Sequence, residues 1–273
     1  MENQTLEEQI YEANIAAHRI ESKYFELLHP EIYNKIEQRR LVKELKKAVR
    51  LVASGGRRAL DFGAGTGNVT GKLLRMGYEV TSVDISREMC GRLQDKYADF
   101  VKNGMLHIVN SKIEDAYFGL EEFDLITCYS VLHHLPDYEQ VIQMLASYLK
   151  KGGILYLDHE ISPFVGSEDR IARTYYRIDW VVNSLIGTMI PQIRKANDER
   201  GILNRAISTL ADYWGQPERK IDNARIKRVF KELSFTYSVR KDYHLHRTRI
   251  PNPVYFVFKY ASRPDVSCWI AHK

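Results

Sequence analysis

The run Ala59-Leu-Asp-Phe-Gly-Ala-Gly-Thr-Gly-Asn68 sets an acid, Asp61, and three glycines, Gly63, Gly65 and Gly67, directly after a short apolar stretch. That order suits a nucleotide cofactor: a strand ends in a tight bend, glycines let the backbone approach a ligand, and the next helix aims free N–H groups at it. A dinucleotide turn, G-x-G-x-x-G, needs a glycine where Asn68 stands, and the extra glycine sits at Gly67 instead. About 20 residues further on, the apolar-rich run Tyr78–Asp84 ends on an acid placed to take both hydroxyls of a ribose. For proton transfer the candidates are His133, His134, His159, His244 and His246. His159 ranks first, because it stands between Asp158 and Glu160, whose carboxylates would stabilise an imidazolium. His133 and His134 read as packing at a helix start. No acid and histidine spacing matches a recurrent metal motif such as H-E-x-x-H, so no metal is expected.

The surrounding pattern supplies elements to hold these groups. Strands are expected near 58–62, 79–83, 105–109, 123–129 and 153–158, with helices near 67–76, 86–102 and 137–149 between them. Such alternation implies right-handed crossovers and a parallel sheet covered by helices on both faces, with its ligand at the carboxyl ends of the strands. Two helices precede it. Leu6–Leu28 lines up Ile10, Ala13, Ala17, Ile20 and Tyr24 and stops at His29-Pro30; a second, near 33–53, lines up Ile36, Val42, Leu45, Val49 and Val52. The aromatic Tyr11, Tyr24, Phe25 and Tyr33 lie on a segment expected to hinge at His29–Tyr33 as a lid. After strand five the alternation stops, and 162–215 reads as a helical insertion carrying Tyr175, Tyr176 and Trp180, the place to expect a pocket wall. A helix near 222–233 and strand-like stretches at 236–247 and 265–271 end the chain.

Asp61-x-Gly63-x-Gly65-x-Gly67 resembles motif I of the class I S-adenosylmethionine (SAM)-dependent methyltransferases. Phe123–Leu135 resembles motif IV with its loop, and Leu149–Asp158 the family's strand five, so the resemblance covers roughly 51–160. It implies an α/β, Rossmann-like fold: a mainly parallel seven-stranded sheet with an antiparallel C-terminal hairpin, the last strand beside strand five. Four parts of one domain follow: a helical cap (1–53), a SAM-binding core (54–160), a helical lid (161–221), and a C-terminal helix and hairpin (222–273). For SAM the resemblance implies contacts from Asp61, Gly63, Ala64, Gly65, Gly67, Asn68, Asp84, Ile85 and Tyr129, with Asp84 on the ribose and Ile85 on the adenine. Arg39 or Arg40, the latter preferred, would meet the methionyl carboxylate. Lys112 occupies the family's usual acid position and cannot accept from the adenine amino group, which leaves the backbone near Ile113, or Glu114. For the acceptor the expected wall is Tyr24, Tyr33, Ser130, His133, His134, Tyr175, Tyr176 and Trp180.

Composition bounds the alternatives. The 273 residues are 44% hydrophobic and 27% charged, enough for one sizeable core. The most apolar stretch, Val181–Ile190, is too short and too polar to span a membrane. Three cysteines without a C-x-x-C pair read as buried thiols of a cytoplasmic protein. Net charge is +5, and the cations of 35–58 read mainly as a solvated helix face. Cys128-Tyr-Ser-Val131 lacks the Asn/Asp-Pro-Pro-aromatic signature of amino-methylating nucleic-acid enzymes, so a nucleic-acid partner is not expected. The favoured reading is methyl transfer to a small, partly apolar or aromatic acceptor. An RNA or protein methyltransferase and a non-methylating SAM-binding relative stand as alternatives, and the acceptor atom and oligomeric state are open.

Overall fold

The computed structural model describes residues 4–53, 55–161, 170–200, 205–214, 221–246 and 252–273. Its centre is a seven-stranded sheet of β1 (Arg58–Phe62), β2 (Glu79–Asp84), β3 (Leu106–Asn110), β4 (Phe123–Tyr129), β5 (Leu149–Ile161), β6 (Tyr237–Tyr243) and β7 (Val266–His272). Strand order is β3-β2-β1-β4-β5-β7-β6. The first five strands are parallel, and β7 runs antiparallel between β5 and β6. The order reverses between β1 and β4, which makes their carboxyl ends the site-bearing edge. β4 is buried along its whole length, as a strand covered on both faces must be.

Between the strands lie α5 (Thr70–Arg75), α6 (Arg87–Lys96), α7 (Ala98–Lys102) and α8 (Tyr138–Tyr148), and α12 (Asn223–Glu232) precedes β6. The expected single helix over 86–102 breaks at Tyr97, whose ring packs beside Gly67 and Gly71 and whose hydroxyl donates to the Gly67 carbonyl. A helix at Asn252–Ala261 between β6 and β7 went unseen in the sequence; Tyr255 and Phe258 turn inward onto Tyr175 of the insertion.

The N-terminal segment departs from one straight helix. Leu6–Glu21 (α1) starts on a capping box made by Thr5 and Glu8, then passes through a 3-10 turn at Ser22–Tyr24 into the short helices Phe25–Leu28 (α2) and Pro30–Tyr33 (α3). Asn34 caps α4 (Lys35–Leu51), accepting from the N–H groups of Ile36 and Glu37, while its amide donates to the carbonyls of Pro30, Glu31 and His246. The buried face of α4 is Glu37, Leu41, Glu44, Leu45 and Ala48, whereas Ile36 is half exposed. That phase differs from the apolar one expected because both carboxylates are paired. Glu37 meets Arg40, and Glu44 meets Lys47 and Lys241. Lys35, Arg39, Lys43, Lys46, Lys47 and Arg50 are exposed, the solvated face expected of them. The insertion folds as Arg170–Met189 (α9), Pro191–Arg200 (α10) and Arg205–Ala211 (α11), and α1 lies along α11 with Ala13, Ala17 and Ala211 in contact. All three cysteines are free and buried, and no helix among the described residues is long and apolar enough to cross a membrane.

Candidate active site

At the carboxyl edge of β1, β2, β4 and β5 lies a cavity of about 450 Å³. Its floor on one side is the glycine turn. Gly63, Gly65 and Gly67 all have positive φ, but they act differently. A side chain at Gly63 would strike Val131 and one at Gly67 would strike Leu93 and Tyr97, whereas a Cβ on Gly65 meets nothing within 4 Å. Gly63 and Gly67 are therefore fixed by packing, and Gly65 keeps open the space a ligand would fill. The Gly65 N–H donates to Asp84 Oδ2 at 2.8 Å, and the Ser86 N–H donates to Asp84 Oδ1 at 2.8 Å. Each Asp84 oxygen thus holds the backbone with one lone pair and retains another for a hydroxyl donor. Burial raises the Asp84 pKa.

Asp61 does not reach the cavity. Its oxygens accept from Thr70 Oγ1 at 2.5 Å and Thr127 Oγ1 at 2.8 Å, tying β1 to α5 and β4 beneath the turn, and burial lifts its pKa to about 6. Ala64, Asn68, Ile85, Ile113, Glu114 and Tyr129 line the cavity with Gly63, Gly65 and Asp84; Gly67 does not. Lys112 also lines it, but its ammonium lies 4.1 Å from the centre of the Tyr11 ring, and Glu114 accepts from the Tyr11 hydroxyl at 2.6 Å. Through this pair the cap reaches the wall expected to read adenine.

Arg40 stands elsewhere. Its guanidinium bonds Glu37 at 2.5 Å and Asp158 at 2.9 Å and covers the Tyr243 ring at 3.8 Å, behind the cavity wall. Asp158 also accepts from the hydroxyls of Tyr156 and Tyr243. Arg40 is committed to a buried carboxylate pair and does not line the cavity, where Tyr33 and Thr66, bonded to each other at 3.2 Å, stand at the turn.

The histidines are rearranged most. His159 lines the cavity, yet neither flanking carboxylate touches its ring. Asp158 accepts from its backbone N–H, and the ring contacts Ser130 Oγ at 3.2 Å and stacks 5.1 Å from Tyr129. Burial pushes its pKa down to about 4, so imidazolium is disfavoured here. Glu160 serves His133 instead. It accepts from the N–H groups of Val131, Leu132 and His133 and from His133 Nδ1 at 2.9 Å. Although burial alone would raise the Glu160 pKa, His133 and these amides lower it; burial likewise opposes charge on His133, and Glu160 outweighs it, raising the His133 pKa. His134 Nδ1 meets the Ala211 carbonyl at 2.5 Å, and burial takes its pKa well below the usual histidine value. Ser130 and His159 both adopt positive φ, a cost of order 1–3 kcal/mol each that the surrounding bonds must sustain.

Of the expected acceptor wall, Tyr33, Ser130, His133 and His134 line the cavity. Tyr24 turns away, its hydroxyl donating to Glu199, and Tyr175 stacks on Phe258 at 3.8 Å. The side chains of Tyr176 and Trp180 lie outside the described part. Sequence reasoning missed Asn14, His18, Glu21, His29 and Asp212, all on the wall. The clue for the first three was an amphipathic helix carrying polar residues among its inward positions, and His29 stands at the break before Pro30. For Asp212 there was none, since the insertion reaches the loop after β4 through tertiary bonds, among them Trp214 N–H to His133 O and Trp214 Nε1–H to Leu135 O, each 2.8 Å.

Residues 60–157 match the family described as "Methyltransferase domain". Over 116 residues the chain is 34% identical to a ubiquinone biosynthesis O-methyltransferase of Xanthomonas campestris, a match covering 39% of this chain and 44% of that relative. A ubiquinone biosynthesis O-methyltransferase of Haemophilus ducreyi is 32% identical over 108 residues, 37% of this chain and 44% of its own length. The curated relatives are thus matched over less than half their length. Among solved structures, a SAM-dependent methyltransferase from Archaeoglobus fulgidus superposes with TM-score 0.53 at 15% identity, covering 92% of this chain and all of that one. Magnesium protoporphyrin IX methyltransferase from Synechocystis, with bound S-adenosylhomocysteine (SAH), gives 0.53 at 16% identity over 90% of this chain and 87% of that one. Residues 60–157 thus match a methyltransferase domain, carried on a fold shared with SAM-dependent methyltransferase structures.

Proposed function

We propose that this protein transfers a methyl group from SAM to a small, partly apolar or aromatic acceptor. The observation that carries the proposal is the opposition of two walls: an open glycine turn bonded to Asp84 on one side, and Tyr33, Ser130, His133 and His134 on the other. The residues present fit the cofactor. Asp84 has lone pairs for both ribose hydroxyls, Ile85 and Ile113 offer apolar faces for adenine, and Thr66, Asn68 and Tyr33 replace Arg40 around the methionyl end. When bound, SAM supplies a methyl group on a sulfonium whose leaving group is neutral. What the chain adds is position and dryness: the α1–α3 cap and α11 close over the site, and orientation alone can contribute about 7–11 kcal/mol. A cavity of about 450 Å³ suits a small molecule better than a polymer. Buried thiols at Cys90, Cys128 and Cys268 suit a reducing, cytoplasmic setting.

Calorimetry with SAH and with NAD tests the cofactor. SAH binding with no NAD binding is expected, and the reverse would overturn the proposal. Incubation of the protein with labelled SAM and fractionated metabolites then tests the acceptor class. Label entering only RNA or protein would refute the small-molecule reading.

A further inference from the structure

We infer that His133, His134 and Asp212 form a binding site for one divalent transition-metal ion on the acceptor wall, through two imidazoles and one carboxylate. Its role in methyl transfer rests on the function proposed above; its existence does not. A ring nitrogen of each histidine and an oxygen of Asp212 lie within 4.8 Å of one another. In the tetrahedral arrangement zinc takes, two ligand atoms each about 2.0–2.1 Å from the ion stand about 3.3–3.4 Å apart. The 4.0 Å between His133 Nε2 and Asp212 Oδ1 needs about 0.7 Å of closure and the widest separation at most about 1.5 Å, within reach of side-chain rotation.

The second observation is the state of the two rings. The Ala211 carbonyl can only accept, so His134 Nδ1 carries the proton of that bond. Glu160 accepts from three backbone N–H groups, so His133 Nδ1 likewise donates to it. In their neutral form both rings then carry the lone pair on Nε2, each fixed by a carboxylate or carbonyl behind it, the arrangement that orients metal-binding histidines. Two imidazoles with one carboxylate select zinc, iron or cobalt over magnesium or calcium, whose preference is for oxygen alone. Three protein ligands leave a position open. Asp212, 43% exposed, offers an entry path. An acceptor hydroxyl bound at the open position would release its proton to water at a lower pH than a free hydroxyl. Sequence spacing gave no sign of this site because Asp212 comes from the insertion, far along the chain from the adjacent histidines.

The test uses the full chain, tag-free and chelator-treated, titrated with Co²⁺ and followed by visible ligand-field absorption, alongside SAH calorimetry. One Co²⁺ per chain, displaced by Zn²⁺, is expected. Asp212→Asn and His134→Ala should each weaken it at least tenfold while SAH still binds, which shows the variants are folded. SAH binding without stoichiometric Co²⁺, or Co²⁺ binding equally tight in both variants, would overturn the site and leave the methyl-transfer reading standing. Co²⁺ binding lost in the variants, with no SAH binding in the parent chain, would uphold the site and remove the methyl-transfer reading.

Discussion

Asp84→Asn changes one oxygen of the residue that joins the glycine turn to the cofactor wall. In the parent, Oδ2 accepts from the Gly65 N–H and Oδ1 from the Ser86 N–H, both at 2.8 Å. The carboxamide keeps one acceptor and turns an NH₂ group toward the other backbone N–H, so one internal bond is lost. That bond is worth about 1 kcal/mol, or a fall of about 2–4 °C in Tm for a domain of this size class. The ligand loses more, because a hydroxyl bonded to a carboxylate is worth about 1.5–3 kcal/mol, roughly 10- to 150-fold in Kd. Calorimetry with SAH measures the second effect and a thermal melt the first. An unchanged Kd with the expected fall in Tm would show that Asp84 only braces the turn. An unchanged Tm and Kd together would refute the whole geometry at this edge.

Gly67→Ala should destabilise the fold by more than 1 kcal/mol, because its Cβ would lie 2.3 Å from Leu93 Cδ1 at a φ of +84°, whereas Gly65→Ala should lose SAH affinity with a smaller change in Tm; paired melts and titrations separate the two. His159→Ala should leave SAH binding within about twofold and keep the shape of the pH–rate profile, since a ring with a pKa near 4 is a poor proton acceptor; loss of the acidic limb, where rate rises with pH, would reinstate it as the base. His29 is held at a pKa of about 9 by Glu21 and Glu31 in spite of burial. A raised histidine pKa stabilises the fold fully below about pH 6.5, and that contribution is lost as pH rises through about 9. Melts between pH 6.5 and 10 should therefore fall more steeply for the parent than for His29→Gln, and parallel curves would refute the linkage.

How much could be read in advance follows from how local each signal is. Strand ends, the glycine turn and Asp84 are written in consecutive residues, and the structure places them as expected, with β1 and β4 at the reversal of strand order. The phase of α4 was misread because Glu37 and Glu44 look like surface residues until Arg40, Asp158 and Lys241 are brought beside them. Glu160 was assigned to its chain neighbour His159, but the irregularity of β5 at the positive-φ His159 turns it toward the loop after β4, which presents three N–H groups and His133. A pairing across two strands is invisible to any reading of one strand. The helix at Asn252–Ala261 was missed for a related reason: its inward residues are few and their partner, Tyr175, belongs to the insertion.

The cap shows what such long-range pairing achieves. α1 buries Ile10, Tyr11, Ala13, Asn14 and Ala17 rather than a purely apolar stripe, and its polar members are the ones that touch the site. Tyr11 fixes Glu114, Asn14 donates to the His134 carbonyl at 3.1 Å, and His18 sets its ring edge-on to His134 at 5.6 Å. The 3-10 turn at Ser22–Tyr24 then bends the chain so that Phe25, His29 and Tyr33 follow the cavity rim to the glycine turn. A continuous helix through Leu28 would extend in a straight line and leave this rim open. The same segment is therefore braced against the adenine wall, the histidine wall and the turn at once, and a ligand spanning those three would be expected to tighten all of it together. Hydrogen exchange offers the direct check: added SAH should protect Glu7–Tyr33 as one unit, and protection confined to the glycine turn would show the cap to be packing alone.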